Sequence, residues 1–262
     1  MRRTAILLVL VLSCALLGAC GKSDYASTAP ASSSAPAATA TQGATTSRRP
    51  APTHAQALAF ASAVNLTAAD VPGFTATSSQ HGESAAERRL AQQLRSCLGT
   101  RGSQALGSQG AVLEAGSPHF DVHRGILSVS VSSEVTVARD AAQAAGVLSA
   151  MRNPRVRACV SRYVEALLKS QRLGGATVAG VSIASGTPPA PGTTGGFGWR
   201  VTATLAYRGI RLSFYMDILG FVDGNAQVTL FSSSVLRPFP ASAQEDLFSK
   251  LLSRARARAH GL

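Results

Sequence analysis

The sequence predicts an α+β domain, in which an antiparallel sheet of about five or six strands carries helices packed on one face. Apolar and small polar residues alternate from Leu127 to Val137, as in a strand with one buried and one solvated face. A second alternating stretch runs from Trp199 to Val235 and is interrupted by the turn sequences Arg208-Gly209 and Asp223-Gly224-Asn225. Helical spacing of apolar residues is clearest between Val156 and Leu168.

The chain begins with an export-like segment. Met1-Arg2-Arg3 precedes an apolar run from Ala5 to Leu17, which has the length of a signal-peptide core and is too short for a permanent membrane helix. The run closes with Leu16-Leu17-Gly18-Ala19-Cys20. This segment resembles the bacterial lipobox, in which an aliphatic residue, two small residues and a cysteine are recognised together. The alternative is an ordinary signal peptide with a chance cysteine.

The lipobox resemblance implies that residues 1–19 are removed and that the Cys20 thiol carries a diacylglyceryl group. Acyl chains stabilise membrane attachment by about 0.8 kcal/mol per buried methylene, so two or three chains hold a protein firmly. The expected location is therefore the outer face of the cytoplasmic membrane, by a lipid anchor.

Residues 20–53 are rich in Ala, Ser, Thr and Pro and poor in large apolar side chains. Such a segment buries too little surface to offset the entropy of ordering, so we expect a disordered tether. Residues 54–262 then form a single α+β domain.

The first half of that domain is predicted to be mostly helical. His54 to Val64 has a short helical pattern, and Ser84-Ala85-Ala86-Glu87 is a capping box that starts a second helix ending at Gly99 and Gly102. A short strand is expected at Ala111 to Ala115. After the strand at 127–137, helices are predicted from Ala138 to Met151 and, restarted by Asn153-Pro154, onward to Leu168.

The second half is predicted to be mostly strands. Val178 to Ile183 is one, and Gly186 to Gly198 is expected to be a loop without an element of its own. The alternating stretch then supplies a meander that ends at Val235. Ser242 with Glu245 caps a final helix that buries Leu247, Phe248, Leu251 and Leu252.

Two cysteines remain in the mature chain besides Cys20, since Cys14 lies inside the signal segment. Cys97 and Cys159 fall on the apolar faces of predicted helices, and an even pair in an oxidising compartment indicates a disulfide. Two buried free thiols are the alternative.

The chain is basic, with 25 Lys and Arg against 13 Asp and Glu. For an exported protein we expect anionic lipid or acidic wall polymer as the partners of this charge, and no nucleic acid. The alternative is that scattered arginines keep an alanine-rich surface soluble.

The segment from His119 to His123 is the sequence's metal-like motif. On a strand, residues two apart share a face, so His119, Asp121 and His123 would present two imidazoles and a carboxylate together. The alternative is a solvated loop after Gly-Ser-Pro. No nucleophile motif or phosphate-binding glycine loop is present, and no cofactor is expected.

Aromatic residues collect around the meander. Trp199, Tyr207 and Phe214 share the inward phase and are expected in the core, whereas Phe197 and Tyr215 are candidates for a ligand cleft. Asp217 alternates onto the face of Tyr215 and is expected at a solvent-facing strand position.

Three features together resemble one family: the lipobox with its tether, the hairpin Phe221-Val222-Asp223-Gly224-Asn225-Ala226-Gln227-Val228, and a cysteine pair on two helices. They are similar to actinobacterial lipoproteins related to the extracellular sensor domain of PknH-type kinases and to LpqN/LpqT-type lipoproteins. The resemblance implies a helix-packed sheet that binds a ligand or partner outside the membrane. It assigns no site residue, and this chain has one candidate disulfide where the kinase sensors have two.

Three functions remain open at this point. The expected one is a non-enzymatic envelope lipoprotein that binds an unknown protein or small molecule. The second is a carrier of a hydrophobic or lipid ligand between sheet and helices. The third is a metal-dependent envelope enzyme that uses His119 to His123.

Overall fold

The computed structural model describes residues 50–77, 84–106, 110–124, 127–171 and 175–258. The expected signal segment, the lipid attachment at Cys20 and residues 20–49 of the tether lie outside these described residues, so they stay predictions.

Eight strands form a single antiparallel sheet. In chain order they are β1 (Thr75–Thr77), β2 (Leu113–Gly116), β3 (His119–Arg124), β4 (Leu127–Val137), β5 (Thr177–Gly186), β6 (Gly195–Tyr207), β7 (Ile210–Asp223) and β8 (Ala226–Val235). The spatial order is β1-β3-β4-β8-β7-β6-β5, and β2 pairs with the second half of β4. The last strand of the chain therefore lies at the centre of the sheet.

The described helices number five, and a short 3-10 turn covers Ala68–Asp70. They are α1 (His54–Val64), α2 (Ala85–Leu106), α3 (Ala141–Arg152), α4 (Pro154–Ser170) and α5 (Ala241–Arg258). None of these is long and apolar enough to cross a bilayer.

The helices cover both faces of the sheet. On β7, alternate residues belong to different clusters: Met216 and Ile218 pack with α3 and α4, whereas Phe221 packs with α1 and α5. Successive strand residues point to opposite faces, so these clusters lie on opposite sides. We call the side of α2, α3 and α4 the first face and the side of α1 and α5 the second face.

The first face is held by an apolar cluster over β5, β6 and β7. α4 contributes the strongest amphipathic period, and Trp199 of β6 lies beneath α3 with 4% of its surface exposed. Its indole Nε1 donates to the Met151 carbonyl at 2.9 Å, which satisfies an otherwise free acceptor at the end of α3. α2 packs on α3 and α4 through Leu90, Leu94 and Leu98.

The second face is held by α1 and α5. The Phe221 and Phe248 rings meet edge to face at 5.6 Å between centroids. Arg254 of α5 donates to both carboxylate oxygens of Asp70 at 2.6 and 2.9 Å, which fixes α5 against the turn that follows α1. Asp70 is 8% exposed, and its pKa stays below the ordinary value because bonds from Arg254 and Thr67 outweigh its partial burial.

The predicted α+β class is confirmed, but the strand count and the placement of the helices on one face were wrong. β1 lies outside the predicted strands, β3 decides between the strand and the loop considered for His119 to His123 in favour of the strand, and β6 begins at Gly195, inside the stretch expected to be a loop. α2 continues to Leu106 past a break at Gly99, whose positive φ of 70° suits glycine. Helices α1 and α4 begin at the predicted residues, with Thr53 and Asn153 as caps.

Candidate functional site

The first face has two halves of different chemistry. Over β5, β6 and β7 it is apolar, with Trp199, Val201 and Met216 buried under the helices. Over β3, β4 and β8 it is mostly polar, although Phe231 and Val235 of β8 face the same side and pack against the apolar cluster. We define the polar half by its inward side chains: His119, Asp121, Ser128, Ser130, Ser132, Glu134, Thr229 and Ser233.

Strand alternation explains how a polar half arises. On β4 the odd-numbered Val131, Val135 and Val137 point to the second face and pack with α1 and α5. The serines between them therefore point to the first face. They were expected to be solvated, yet Ser128, Ser130 and Ser132 are 3 to 5% exposed.

One row shows the boundary between the halves. Asp121 lies opposite Ser130, Ser130 opposite Ser233, and Ser233 opposite Met216. The row continues to Val201 on β6. Along this row of cross-strand neighbours, the side chains therefore change from a carboxylate, through two hydroxyls, to a thioether and a branched aliphatic group.

Hydrogen bonding in the polar half is incomplete among the described residues. Thr77 Oγ1 donates to Asp121 Oδ2 at 2.5 Å, and Ser128 Oγ contacts His123 Nδ1 at 2.9 Å. Ser233 is 3% exposed, and its hydroxyl oxygen is buried without a hydrogen-bond partner from the part of the chain that the structure describes. Native structures seldom leave such a group without a protein, water or ligand partner.

Burial shifts the pKa values of two side chains in the polar half. Desolvation lowers the pKa of His119, although the Asp121 carboxylate opposes the shift, so the imidazole is neutral near pH 7. Desolvation, with a smaller contribution from Glu114, raises the pKa of Glu134 to about 8. No hydrogen bond or ion pair from the described part of the chain reaches the Glu134 carboxylate.

The predicted metal motif is a strand and not a solvated loop. His119, Asp121 and His123 lie on one face of β3, but only the first two are buried and His123 is exposed. His123 and Asp121 have Ser128 and Thr77 as partners. Among the described residues, no three His, Cys, Asp or Glu side chains are grouped closely enough to hold a metal ion.

The two aromatic residues proposed for a cleft lie on opposite faces. Phe197 is in the core of the first face, 1% exposed, and its ring occupies the space where a side chain on Gly220 would lie. Tyr215 is half-buried on the second face, between Thr202 and Ser234 on the neighbouring strands. The structure does not bring them together.

Asp217 differs from its expected solvent-facing position. Its side chain is 4% exposed and lies under Arg200, which donates Nε to Oδ1 at 2.6 Å and Nη2 to Oδ2 at 3.1 Å. The bond to Asp217 raises the pKa of Arg200. The two opposite charges of this pair compensate each other on the second face of the meander.

A shallow depression of about 510 Å³ lies beside the proline-rich loop. It is lined by Arg152, Thr187, Pro188, Pro189, Ala190, Pro191, Gly195 and Gly196. The Arg152 guanidinium donates to the carbonyl of Gly196, at the start of β6, at 2.9 Å. The charged group of the lining is therefore already engaged in a hydrogen bond with the protein backbone.

The structure joins the predicted cysteine pair. Cys97 of α2 and Cys159 of α4 form a disulfide. The sequence reasoning missed Ser130, Ser132, Glu134 and Ser233, because an alternating strand with small hydroxyl residues is typical of a solvated sheet face.

The chain has few detectable similarities to known proteins. No protein-family model matches the chain, and no curated protein matches its sequence. Among solved structures, the fold weakly resembles the extracellular domain of PknH from Mycobacterium tuberculosis, at 12% identity and a TM-score of 0.33. The match covers 59% of this chain and 70% of that one.

Proposed function

We propose that this chain is a lipid-anchored, non-enzymatic binding protein of the cell envelope, and that the polar half of the first face holds the polar group of a small ligand. The observation that carries the proposal is the unpartnered, buried Ser233 hydroxyl in a row with Ser130 and Asp121. A buried polar group without a hydrogen bond costs roughly 1–3 kcal/mol, which a ligand group can offset.

The charges of the polar half favour a neutral or cationic ligand group. Its fixed charges are carboxylates, at Asp121 and, above its raised pKa, Glu134, and the His119 imidazole is neutral near pH 7. A ligand hydroxyl would donate to Asp121 and accept from a serine hydroxyl, whereas a protonated amine would donate to both the carboxylate and the serine oxygens. A carboxylate or phosphate would be repelled.

A carrier of an amphiphilic molecule is the second candidate. It is favoured by the boundary at which Ser233 lies beside Met216, because a ligand with a polar head there would direct an apolar tail along the apolar half. The two candidates differ in the mass and solubility of the bound molecule.

Binding is proposed over catalysis because the nucleophile-like pair is poorly built. Ser128 contacts His123 Nδ1 but is 3% exposed, and no described carboxylate hydrogen-bonds to the His123 ring. A serine hydrolase needs an accessible hydroxyl and an oriented base.

The anchor is proposed at Cys20, and the net charge, which stays clearly positive after Arg2 and Arg3 are removed, favours contact with anionic lipid or wall polymer. A Cys20→Ser variant should leave the membrane fraction after cell disruption, whereas a Cys14→Ser variant should stay in it. Retention of Cys20→Ser in washed membranes would overturn the anchor.

Binding is tested by native mass spectrometry of the lipoprotein extracted from membranes in mild detergent. We expect an adduct in the wild type that is lost in Ser233→Val and Asp121→Asn and kept in Ser213→Val, a control on the second face of β7. In the same samples, ethanolamine and glucose should raise the melting temperature of stripped protein and acetate should not. A bare wild-type protein that none of these probes stabilises would overturn the proposal.

A further inference from the structure

The disulfide between α2 and α4 has an arginine beside both of its sulfurs. Arg162 Nη2 lies 2.9 Å from Cys97 Sγ and 3.8 Å from Cys159 Sγ. Arg162 follows Cys159 by one helical turn, so α4 itself fixes the guanidinium next to the bond. Cys97 is partly exposed, whereas Cys159 is 2% exposed.

We propose that Cys97–Cys159 is a thiol-exchange site that an external dithiol reduces in the folded protein, with Cys97 as the sulfur attacked. The inference does not rest on the proposed ligand site. It rests on the unequal exposure of the two sulfurs and on the guanidinium that lies beside both of them.

The exchange balances in two steps. A thiolate of the dithiol attacks Cys97 Sγ, a mixed disulfide forms there, and Cys159 leaves as a thiolate beside Arg162. The second thiol of the dithiol then attacks its own sulfur in the mixed disulfide, which releases Cys97 as a thiolate beside the same guanidinium. Two electrons pass from the dithiol to the protein, and its two protons end on the cysteines.

Arg162 favours both departures because a nearby cation stabilises a thiolate and a leaving thiol of lower pKa departs faster. One effect opposes it at Cys97. The helix break at Gly99 places the negative end of a helix dipole near this residue. That end is equivalent to about half a charge, whereas the guanidinium carries a full charge 2.9 Å away. The arginine therefore dominates.

Reduction would remove the covalent link between α2 and α4, so that only the leucine contacts of α2 would hold this helix in place. The bond closes a separation of 62 residues, and α2 otherwise contacts α3 and α4 through Leu90, Leu94 and Leu98. An exchange site here would make the position of this helix dependent on external thiols.

The test is the rate of reduction of the full lipoprotein in detergent by dithiothreitol at pH 7, followed by alkylation and mass spectrometry. We expect reduction faster than global unfolding, a rate about tenfold lower in Arg162→Met, partial rescue in Arg162→Lys, and no change in Arg155→Met, an exposed control on α4. Reduction only at the rate of unfolding, or equal rates in wild type and Arg162→Met, would overturn the proposal.

A second measurement covers the case in which Arg162→Met loosens the fold. In Cys159→Ser, the pH dependence of Cys97 alkylation should have its midpoint below the usual value of about 8.5, and adding Arg162→Met should raise that midpoint. A midpoint that the arginine does not move would count against the proposal.

Discussion

The apolar and polar halves of the first face lie on different strands of one sheet and follow the same alternation, yet burial has different consequences in each. In the apolar half, Trp199 and Met216 fill space under α3 and α4, and the one indole donor has its acceptor. In the polar half, Ser233 lacks a partner among the described residues and Glu134 is desolvated beside Glu114. The apolar half stabilises the fold through its packing. In the polar half, buried polar groups without hydrogen bonds reduce the stability and keep donors and acceptors unoccupied.

The largest effect should come from the apolar half. Trp199→Ala removes the indole under α3 together with its bond to Met151, so we expect a loss of about 3–5 kcal/mol in the free energy of unfolding. Urea denaturation measures it. Leu127→Ala, at a residue that is 40% exposed, is the control and should cost about 1 kcal/mol or less. Equal losses would mean that the apolar half is not the stabilising half.

The next effect tests the ring that packs where the halves meet. In Gly220→Ala the new methyl group would overlap the Phe197 ring, so we expect a loss of about 3 kcal/mol from overpacking. Adding Phe197→Leu should return part of that loss, because the smaller side chain makes room. A double-mutant cycle by thermal unfolding checks the coupling, and additive losses would contradict it.

A smaller effect should come from Glu134. Its raised pKa means that the folded state binds the proton more tightly than the unfolded state. The resulting stability is complete below pH 4.5 and is lost as pH rises towards 8. One pKa unit corresponds to about 1.4 kcal/mol, but Glu134 is only half-buried and solvent screens part of the effect. We therefore expect wild type to lose on the order of 2 kcal/mol across this window relative to Glu134→Gln, which mimics the protonated form. Melting temperatures at pH 5 and pH 8 measure it.

The matched control for that comparison is Glu245→Gln, on the exposed surface of α5. It should follow the wild-type pH profile. Parallel profiles for wild type and Glu134→Gln would show that the polar half does not desolvate this carboxylate.

The smallest effect compares neighbours on β8. The Ser232 hydroxyl accepts from Gln244 Nε2 at 2.6 Å on the second face, so Ser232→Ala should cost about 1–2 kcal/mol. Ser233→Ala removes an unpartnered hydroxyl and should be neutral or stabilising by about 0.5 kcal/mol. Chemical denaturation of both variants decides, since a similar cost at Ser233 would reveal a bound partner for its hydroxyl.

Local patterns predicted most of the elements. The capping box at Ser84 and Glu87, the Asn153 cap with Pro154, and the hairpin at Asp223 to Asn225 each specify their own geometry within a few residues. Such signals depend on neighbours in the chain, so they are legible in a single sequence.

Which side of the sheet a helix covers depends on distant residues. The run from Ile218 to Val222 is apolar on both strand phases, which is a sign of burial on both faces that alternation elsewhere obscured. β1 has only three residues, and β3 carries charged or polar side chains at alternate positions, including His119 and Asp121. Neither segment therefore has a strong apolar strand pattern. Serine is small enough to be either buried or exposed on a strand. The sequence alone therefore does not predict that the serines of the polar half are buried.

The central position of β8 also sets an order on assembly. β5, β6 and β7 are consecutive in the sequence and can pair as they are made, and β3 can likewise pair with β4. The two groups have no strand in common until Ala226 to Val235 joins β4 to β7. Such long-range pairing is slow, so a growing chain stays in two unjoined parts until β8 has been made. The sheet of this topology therefore closes only after β8 has been made, because no earlier strand in the described part of the chain pairs with both β4 and β7.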